Sequence, residues 1–249
     1  MNDLGAQLYT VREYLQTDHE IQDTLSKIKE IGYHSVQLFG SAELAGKLAK
    51  AAKDAGLQIS GVLADLDGYE QNLDDYLRIC DDYEMTDLGV SAFITDAEKV
   101  RLYIQRVNRM AQKIKACGHT FSYHNHASEF IKLPDGKTIL EHYIEGFDAA
   151  LVDFMPDTYW IHKGGCDVRH LLERLRGRVK ILHLKDMKYT LGGEAFAEVG
   201  RGNLYFEGIL QLALDCGIKQ FVVEQDQCDQ DPIESLKQSF DYIKSLNLL

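Results

Sequence analysis

The sequence predicts a single (β/α)8 barrel, and three observations support this fold class. The chain has 249 residues, which matches the length of about 250 residues typical of such barrels. Short apolar runs alternate with amphipathic stretches along the chain, and glycines recur at the junctions between them. Strands that alternate with helices are joined by parallel crossovers, and eight such units close more readily into a barrel than into an open sheet. The open, doubly wound alternative is disfavoured because no GxGxxG motif follows the first apolar run.

Each predicted strand is a short apolar run that ends in polar residues. The eight runs fall near residues 4–9, 33–39, 57–64, 87–92, 120–126, 150–157, 179–185 and 220–225. Between the fourth and fifth runs, apolar residues from Val100 to Ala111 step by four and three positions, which places them on one face of a helix. Residues 132–137 contain Pro-Asp-Gly and predict a turn in an enlarged loop after the fifth strand.

The predicted helices carry signals at both ends. Capping-box pairs predict helix starts at Thr17 with Glu20 and at Thr95 with Glu98, and Asp231 followed by Pro232 predicts another. A glycine after a helix can take the left-handed conformation that turns the chain into the next strand. The predicted helix-ending glycines are Gly32, Gly56, Gly118, Gly146, Gly177 and Gly217.

The composition narrows the function classes. With 39 acidic and 27 basic residues the net charge is -12, which would repel a phosphate backbone, so we expect no nucleic-acid partner. No run reaches the ~20 apolar residues of a membrane helix, and the first residues lack the pattern of a signal peptide. The five cysteines form no CxxC pair, which argues against structural zinc and redox chemistry. We therefore predict one cytoplasmic domain over residues 1–249 that acts on a small molecule.

Polar side chains collect at the ends of the last four predicted strands. Barrel enzymes carry their sites at the carboxyl ends of the strands, and Asp157, His183 and Glu224 occupy such positions on neighbouring strands. Carboxylates combined with imidazole suit Mn2+, Zn2+, Co2+ or Mg2+. The fifth strand offers His124 or Glu129 as the fourth metal ligand, and the strand-end position favours His124. Burial of Glu224 behind an apolar run would be costly without a cation.

Other residues near the strand ends are candidates for catalysis or substrate binding. His126 follows His124 by two positions and so lies on the same side of its strand, and the same holds for Lys185 and His183. The candidate catalytic residues are Glu129, Glu224, His126 and Lys185. The candidate substrate-binding residues are Gln7, Gln37, Trp160 and Arg201, with Ser91, Tyr9 and Phe39 as further lining candidates. Arg201 lies in a glycine-rich segment that predicts a loop over the site. Asp153, Asp186 and Asp226 are assigned structural roles.

Four strand-end motifs follow one another along the chain. They are Tyr123-His-Asn-His126 with Glu129, Asp157-Thr-Tyr-Trp160, His183-Leu-Lys-Asp186 and Val223-Glu-Gln-Asp226. In this order they resemble the sugar phosphate isomerase/epimerase family, a group of xylose isomerase-like TIM barrels. The resemblance covers nearly the whole chain, and the motifs are specific as a set although each is weak alone.

This resemblance implies a metal-dependent enzyme. In relatives the ion is held by Glu, Asp, His and Glu from the last four strands, and the two glutamates also move the proton. Asp157, His183 and Glu224 match that pattern. His124 stands where relatives have the first glutamate, so a different base, Glu129 or His126, is expected here.

The implied reaction is removal of a proton beside a carbonyl of a sugar or keto-sugar, through a metal-stabilised enediolate. Isomerisation, epimerisation and dehydration differ in the second step, so all three stay open. A sugar-binding barrel without catalysis is the alternative from another class, and an endonuclease IV-like activity is disfavoured by the acidic charge. Homo-oligomers are common among such barrels, and the sequence leaves the oligomeric state open.

Overall fold

The structure, a computed structural model, describes residues 3–249 and confirms the (β/α)8 barrel. The eight barrel strands are β1 (Asp3–Gln7), β2 (Ser35–Phe39), β3 (Gln58–Ala64), β4 (Asp87–Val90), β5 (Thr120–His124), β6 (Val152–Met155), β7 (Leu182–Leu184) and β10 (Gln220–Val223). Between β7 and β10, a separate hairpin is formed by β8 (Asp186–Thr190) and β9 (Gly193–Ala197). The barrel pairs are parallel, in the order β6-β5-β4-β3-β2-β1-β10-β7. Parallel bridges from Phe154 to Val179 and from Asp157 to His183 join β6 to the β7 region, so the barrel is nearly closed.

Helices surround the strands and bury their apolar faces against them. They are α1 (Asp18–Ile31), α2 (Ala42–Asp54), α3 (Leu66–Tyr83), α4 (Ala97–Ala116), α5 (Ile139–Gly146), α6 (Thr158–Lys163), α7 (Val168–Arg174), α8 (Phe206–Asp215) and α9 (Pro232–Ser245). Two 3-10 segments, Leu8–Tyr14 and Ala127–Phe130, follow β1 and β5. Within residues 3–249, no helix combines the length and the apolar character that a membrane crossing requires.

Most predicted helix starts are confirmed. The capping box of Thr17 and Glu20 is formed in both directions at the start of α1, and the Asp231 side chain caps α9. The α4 helix begins one residue later than predicted, because Asp96 and not Thr95 accepts a hydrogen bond from the backbone N–H three residues on, at 3.0 Å. Aspartate is as good an N-cap as threonine, so the sequence signal could not separate the two.

All six predicted glycines stand at helix ends, and five of them take the left-handed conformation. Gly32, Gly56, Gly118, Gly177 and Gly217 have left-handed φ angles between 71° and 118°. Gly146 is the exception, because it is the last helical residue of α5. A Cβ atom at Gly146 would lie 2.9 Å from Cδ1 of Ile104 on α4. Glycine at this position therefore allows two helices to approach closely and does not reverse the chain.

The amino-terminal end of the barrel contains a buried carboxyl group. Asp87, the first residue of β4, accepts hydrogen bonds at Oδ1 from Thr120 Oγ1 at 2.6 Å and from Ser122 Oγ at 2.8 Å. Its other oxygen, Oδ2, has no hydrogen-bond partner in residues 3–249. Burial raises the pKa of Asp87 to about 6. This end of the barrel is remote from the strand ends where the predicted site residues lie.

The segment after β7 departs from the predicted loop. It forms the β8–β9 hairpin and then returns beside the barrel, where the Asp186 carboxylate accepts hydrogen bonds from four backbone N–H groups between Met187 and Leu204 at 2.7–3.2 Å. Gly200 and Gly202 provide two of these donors. The aspartate therefore fixes the returning segment, and the hairpin brings Phe196 over the carboxyl end of the barrel.

Candidate metal centre

Four buried side chains meet at the carboxyl end of the barrel. They are His124 at the end of β5, Asp157 just after β6, His183 within β7 and Glu224 just after β10. Each offers one ligand atom, and these four atoms lie within 4.8 Å of one another. The structure thus brings together the four residues that the sequence nominated as metal ligands, here called the four-residue cluster.

His124 has the character of a ligand and not of an ordinary core histidine. It is 2% exposed, and neither ring nitrogen has a hydrogen-bond partner in the part of the chain that the structure describes. Its Nε2 lies 3.5 Å from Asp157 Oδ2 and 4.0 Å from Glu224 Oε2. Burial lowers the pKa of His124, which favours the neutral ring that a metal ion needs. A buried imidazole beside two carboxylates is a donor set that fits a divalent ion.

Asp157 is oriented by its own backbone and by a neighbour. Its N–H donates to Asn125 Oδ1 at 3.1 Å, and its Oδ1 accepts from the backbone N–H of Trp160 at 3.0 Å, which caps α6. Because Oδ1 accepts the capping hydrogen bond, Oδ2 is the carboxylate oxygen that faces the cluster. The position of this ligand atom is therefore fixed by the start of α6.

His183 is held between a carboxylate and an amide. Its Nδ1 lies 2.8 Å from Glu224 Oε2, and its Nε2 lies 2.7 Å from Gln37 Oε1. The same Gln37 oxygen accepts a hydrogen bond from Gln7 Nε2 at 2.6 Å. If Nε2 carries the proton and donates it to Gln37, Nδ1 presents a lone pair toward the cluster. Gln37 thus helps to orient the His183 ring.

Lys185 places a positive charge directly against the cluster. Its Nζ lies 2.9 Å from Asp157 Oδ2, 3.0 Å from Glu224 Oε2 and 3.2 Å from Asp226 Oδ2, and the side chain is 1% exposed. Burial alone would lower the pKa of Lys185, but the three carboxylates outweigh it and raise that pKa.

The positive charge of Lys185 in turn affects the pKa values of the neighbouring carboxylates. Burial would raise the pKa of Glu224 and of Asp157, but Lys185 and the neighbouring histidines lower both, that of Glu224 strongly. For Asp226 burial dominates and raises the pKa to about 6. All three carboxylates are therefore mainly ionised at neutral pH, with Lys185 as their counter-charge.

The cluster lies beneath a cavity of about 670 Å3 at the carboxyl end of the barrel. This volume falls in the range of about 300–1,000 Å3 found for small-molecule sites. The aromatic residues of the lining are Tyr9, Phe39, Phe93, Trp160 and Phe196, and its polar residues include Gln7, Ser91, His126, Lys185, Glu224 and Asp226. The cavity thus joins aromatic faces to groups that can form hydrogen bonds or move protons.

His126 and Trp160 form one wall of this cavity. Their ring centroids are 5.3 Å apart, and Phe93 stacks on the other side of His126 at 4.4 Å. His126 Nδ1 and Trp160 Nε1 are buried without a hydrogen-bond partner in residues 3–249. Burial first, and then the charges of His124 and Lys185, lower the pKa of His126 to about 3. This wall of the cavity therefore contains a neutral imidazole beside an indole ring.

Three predicted site residues lie away from the cavity. Glu129 accepts hydrogen bonds from Tyr123 Oη at 2.6 Å and from Ser128 Oγ at 2.8 Å, and it is not among the cavity-lining residues. Arg201 is exposed on the returning segment after the hairpin and does not line the cavity either. Gln37 is fully buried below the cavity, where it contacts His183 and not the open space. None of these three residues therefore lines the cavity in this structure.

Several lining residues lie outside the substrate-contacting set predicted from the sequence, and Asp226 and Arg12 are two of them. Asp226 was assigned a structural role, although it follows Glu224 by two positions, and the alternation that identified His126 would have identified it as well. Arg12 follows no strand pattern, because it lies in the 3-10 segment after β1, so the sequence does not indicate its position at the cavity.

The fold and the site together define a class of protein: a (β/α)8 barrel with histidines and carboxylates gathered at the carboxyl ends of its last four strands. The chain belongs to the xylose isomerase-like TIM barrel family, whose model matches residues 25–246. This confirms the resemblance seen in the motifs.

Individual relatives agree with this family. The chain is 28% identical over 166 residues to an inosose dehydratase of Mesomycoplasma hyopneumoniae, a match that covers 57% of this chain and 53% of the relative, so it spans about half the length of that protein. A sugar phosphate isomerase/epimerase of Parabacteroides distasonis shares the fold with a TM-score of 0.83 at 21% identity, covering 99% of this chain and 95% of that one. A xylose isomerase-like TIM barrel protein of Mycobacterium smegmatis, solved in complex with magnesium, gives 0.75 at 15% identity, with 99% and 96% covered.

Proposed function

We propose that this chain is a metal-dependent sugar isomerase or epimerase that removes a proton beside a carbonyl group. The observation that carries the proposal is the four-residue cluster, whose ligand atoms lie within 4.8 Å of one another beneath the cavity. The family supports an enzyme acting on a sugar, because its members among the structural relatives include sugar phosphate isomerase/epimerases. A divalent ion in the cluster, one of Mn2+, Zn2+, Co2+ and Mg2+, would act as a Lewis acid toward the carbonyl oxygen.

The lining of the cavity suits a sugar. Aromatic faces such as Trp160 and Phe196 pack against the C–H faces of a sugar ring, while Gln7, His126 and Asp226 can form hydrogen bonds with its hydroxyl groups. We therefore expect a small polyhydroxylated substrate and, from the net charge of -12, no nucleic-acid partner.

Three side chains are placed to manage protons and charge during the reaction. His126 lines the cavity with a neutral ring and is the first candidate to accept a proton from a substrate carbon. Glu224 is an ionised carboxylate that also lines the cavity and is the second candidate base. Lys185 stays protonated and can donate a hydrogen bond to an oxygen that gains negative charge. Glu129 is not part of this proposal, because its carboxylate lies away from the cavity.

Dehydration is the second candidate reaction. The 28% identity to an inosose dehydratase over 57% of the chain favours it. Both reactions begin with the same proton removal and differ in whether the proton returns to a carbon or a hydroxyl group leaves. Product analysis separates them, because only dehydration releases an unsaturated or deoxy product.

The test is hydrogen exchange with solvent by the metal-loaded protein. The purified protein is analysed for bound metal, and a panel of ketoses and inososes is incubated with it in D2O and examined by NMR. We expect metal-dependent deuterium incorporation at one carbon of at least one substrate, and loss of this exchange in Glu224→Gln. Asp87→Asn is the matched control, because it changes a buried carboxylate to an amide at the opposite end of the barrel. Sugar binding without bound metal or exchange would instead indicate a non-catalytic barrel.

A further inference from the structure

The mouth of the cavity contains an arginine with no role in the four-residue cluster. Arg12 lies in the 3-10 segment Leu8–Tyr14, directly after β1, and lines the cavity together with Tyr9 and Asp226. It is half-buried. Its contacts to the chain determine which of its donors remain available to a ligand.

The guanidinium group of Arg12 is held in one orientation. Its Nη1 donates to the backbone oxygens of Tyr9 and Asp226, each at 2.9 Å, and its central carbon lies 4.3 Å from the centroid of the Tyr9 ring. These two acceptors use both hydrogens of Nη1. The Nε and Nη2 donors have no hydrogen-bond partner in residues 3–249. This edge of the guanidinium presents two parallel N–H groups, the arrangement that binds a carboxylate or phosphate in a bidentate manner.

The positive charge of Arg12 is also uncompensated. No carboxylate oxygen of the described chain lies within 4.0 Å of its guanidinium nitrogens, whereas Lys163 on the cavity wall is paired with Glu194 at 3.0 Å. The two carboxylates that line the cavity beside Lys185, those of Glu224 and Asp226, are already engaged by this lysine. An anion entering the cavity would therefore meet Arg12 as an unneutralised cation.

Arg12 is separate from the cluster but close to it. It binds the backbone oxygen of Asp226, and the side chain of the same Asp226 reaches Lys185 at 3.2 Å. A substrate group bound to Arg12 would therefore be separated by Asp226 alone from Lys185, which contacts the cluster. A substrate of sugar size can span this separation within a cavity of about 670 Å3.

We propose that Arg12 determines specificity by binding an anionic group of the substrate, a carboxylate or a phosphate, at the end remote from the carbonyl. The inference rests on the proposed function, since it assumes that a sugar occupies the cavity. It assigns Arg12 to binding, so removal of the arginine should weaken binding of anionic ligands and leave that of neutral ligands unchanged.

Trp160 provides a readout that needs no turnover. It is the single tryptophan of the chain and lines the same cavity, so its fluorescence reports ligands bound there. The probes are glucitol, gluconate and glucitol 6-phosphate, which are neutral, carboxylate-bearing and phosphate-bearing polyols of similar size. They are titrated at constant ionic strength into the wild type, Arg12→Gln, Arg12→Lys and the exposed control Arg201→Gln.

We expect one of the two anionic probes to bind about 10- to 100-fold more tightly than glucitol, as for a charge-assisted bidentate pair. The preferred probe identifies carboxylate or phosphate as the recognised group. Arg12→Gln should abolish this preference, Arg12→Lys should retain part of it, and Arg201→Gln should retain all of it. Equal binding of the three probes, or an anion preference that survives in Arg12→Gln, would overturn the inference. Failure of the proposed function would appear separately, as absence of metal and of solvent exchange.

Discussion

The buried carboxyl group of Asp87 allows a stability prediction that is independent of the site. The pKa of Asp87 is about 6 in the folded chain, against 3.8 for an ordinary aspartate. At low pH the group is protonated in both the folded and the unfolded state, so it contributes nothing to pH dependence. As the pH rises through this interval, the unfolded state loses its proton first, which destabilises the folded state. The penalty is complete above about pH 6 and amounts to about 3 kcal/mol, at 1.36 kcal/mol per pKa unit.

Asp87→Asn removes this penalty because asparagine does not ionise. Its Oδ1 can still accept from Thr120 and Ser122, but its amide N–H groups replace an oxygen that has no partner in residues 3–249, at a constant cost of about 1–3 kcal/mol. The diagnostic quantity is therefore the difference in free energy of unfolding between variant and wild type. It should shift in favour of the variant by about 2 kcal/mol between about pH 4.5 and pH 8, because about 1 kcal/mol of the penalty is already present at pH 4.5.

Urea unfolding followed by circular dichroism at several pH values measures this difference. Asp74→Asn, at an exposed position of α3, is the control and should show no comparable shift. A difference between Asp87→Asn and wild type that stays constant with pH, or that favours the wild type as the pH rises, would refute the assignment of a raised pKa to Asp87.

Three further substitutions test the packing and charge of the site and barrel. Lys185→Met should lower the free energy of unfolding by about 3–5 kcal/mol in chelator, and saturating Mn2+ should restore only part of it, because one of the three negative charges stays uncompensated; urea unfolding with and without metal decides this. Gln37→Leu should weaken metal binding about 10- to 100-fold in a competition titration with a chelating dye, and an unchanged affinity would contradict its role in orienting His183. Gly146→Ala should destabilise by about 1–3 kcal/mol because its Cβ meets Ile104, whereas Gly46→Ala, with its nearest contact at 3.7 Å, should stabilise by about 0.5–1 kcal/mol.

Much of the fold followed from local patterns in the sequence. Strand and helix positions come from hydrophobic periodicity and from caps, which depend on neighbours a few residues apart. The helix end predicted at Gly146 is confirmed, but its left-handed conformation is not, because this glycine serves a contact with Ile104 on another helix that no local pattern contains. The helix is capped by Asp96 and not by Thr95, and the sequence could not distinguish them because aspartate and threonine side chains can both accept a hydrogen bond from a backbone N–H at a helix start.

The candidate site was predictable where strand geometry alone places a side chain. Residues at the ends of β5, β6, β7 and β10 converge because parallel strands end at one rim. Glu129 escaped this reasoning because it follows β5 in a 3-10 segment and binds Tyr123. Tyr123 is adjacent to His124 and so points to the opposite side of the strand, toward the helices, and it holds Glu129 there. Arg12 lies outside every strand and is oriented by a backbone oxygen 214 positions away, which no sequence pattern reveals.

The charges around Lys185 link the fold to the choice of ion. Asp157, Glu224 and Asp226 bring three negative charges to one buried place, and Lys185 supplies one positive charge. Two negative charges remain, which is the charge that a divalent ion neutralises. A glutamate at the position of His124 would leave a third, and burial of uncompensated carboxylates is costly. The neutral His124 at this strand end is therefore consistent with the charge balance, because Lys185 already supplies one positive charge to the cluster. This balance is the physical reason to expect that Lys185 and a divalent ion act together and do not replace each other.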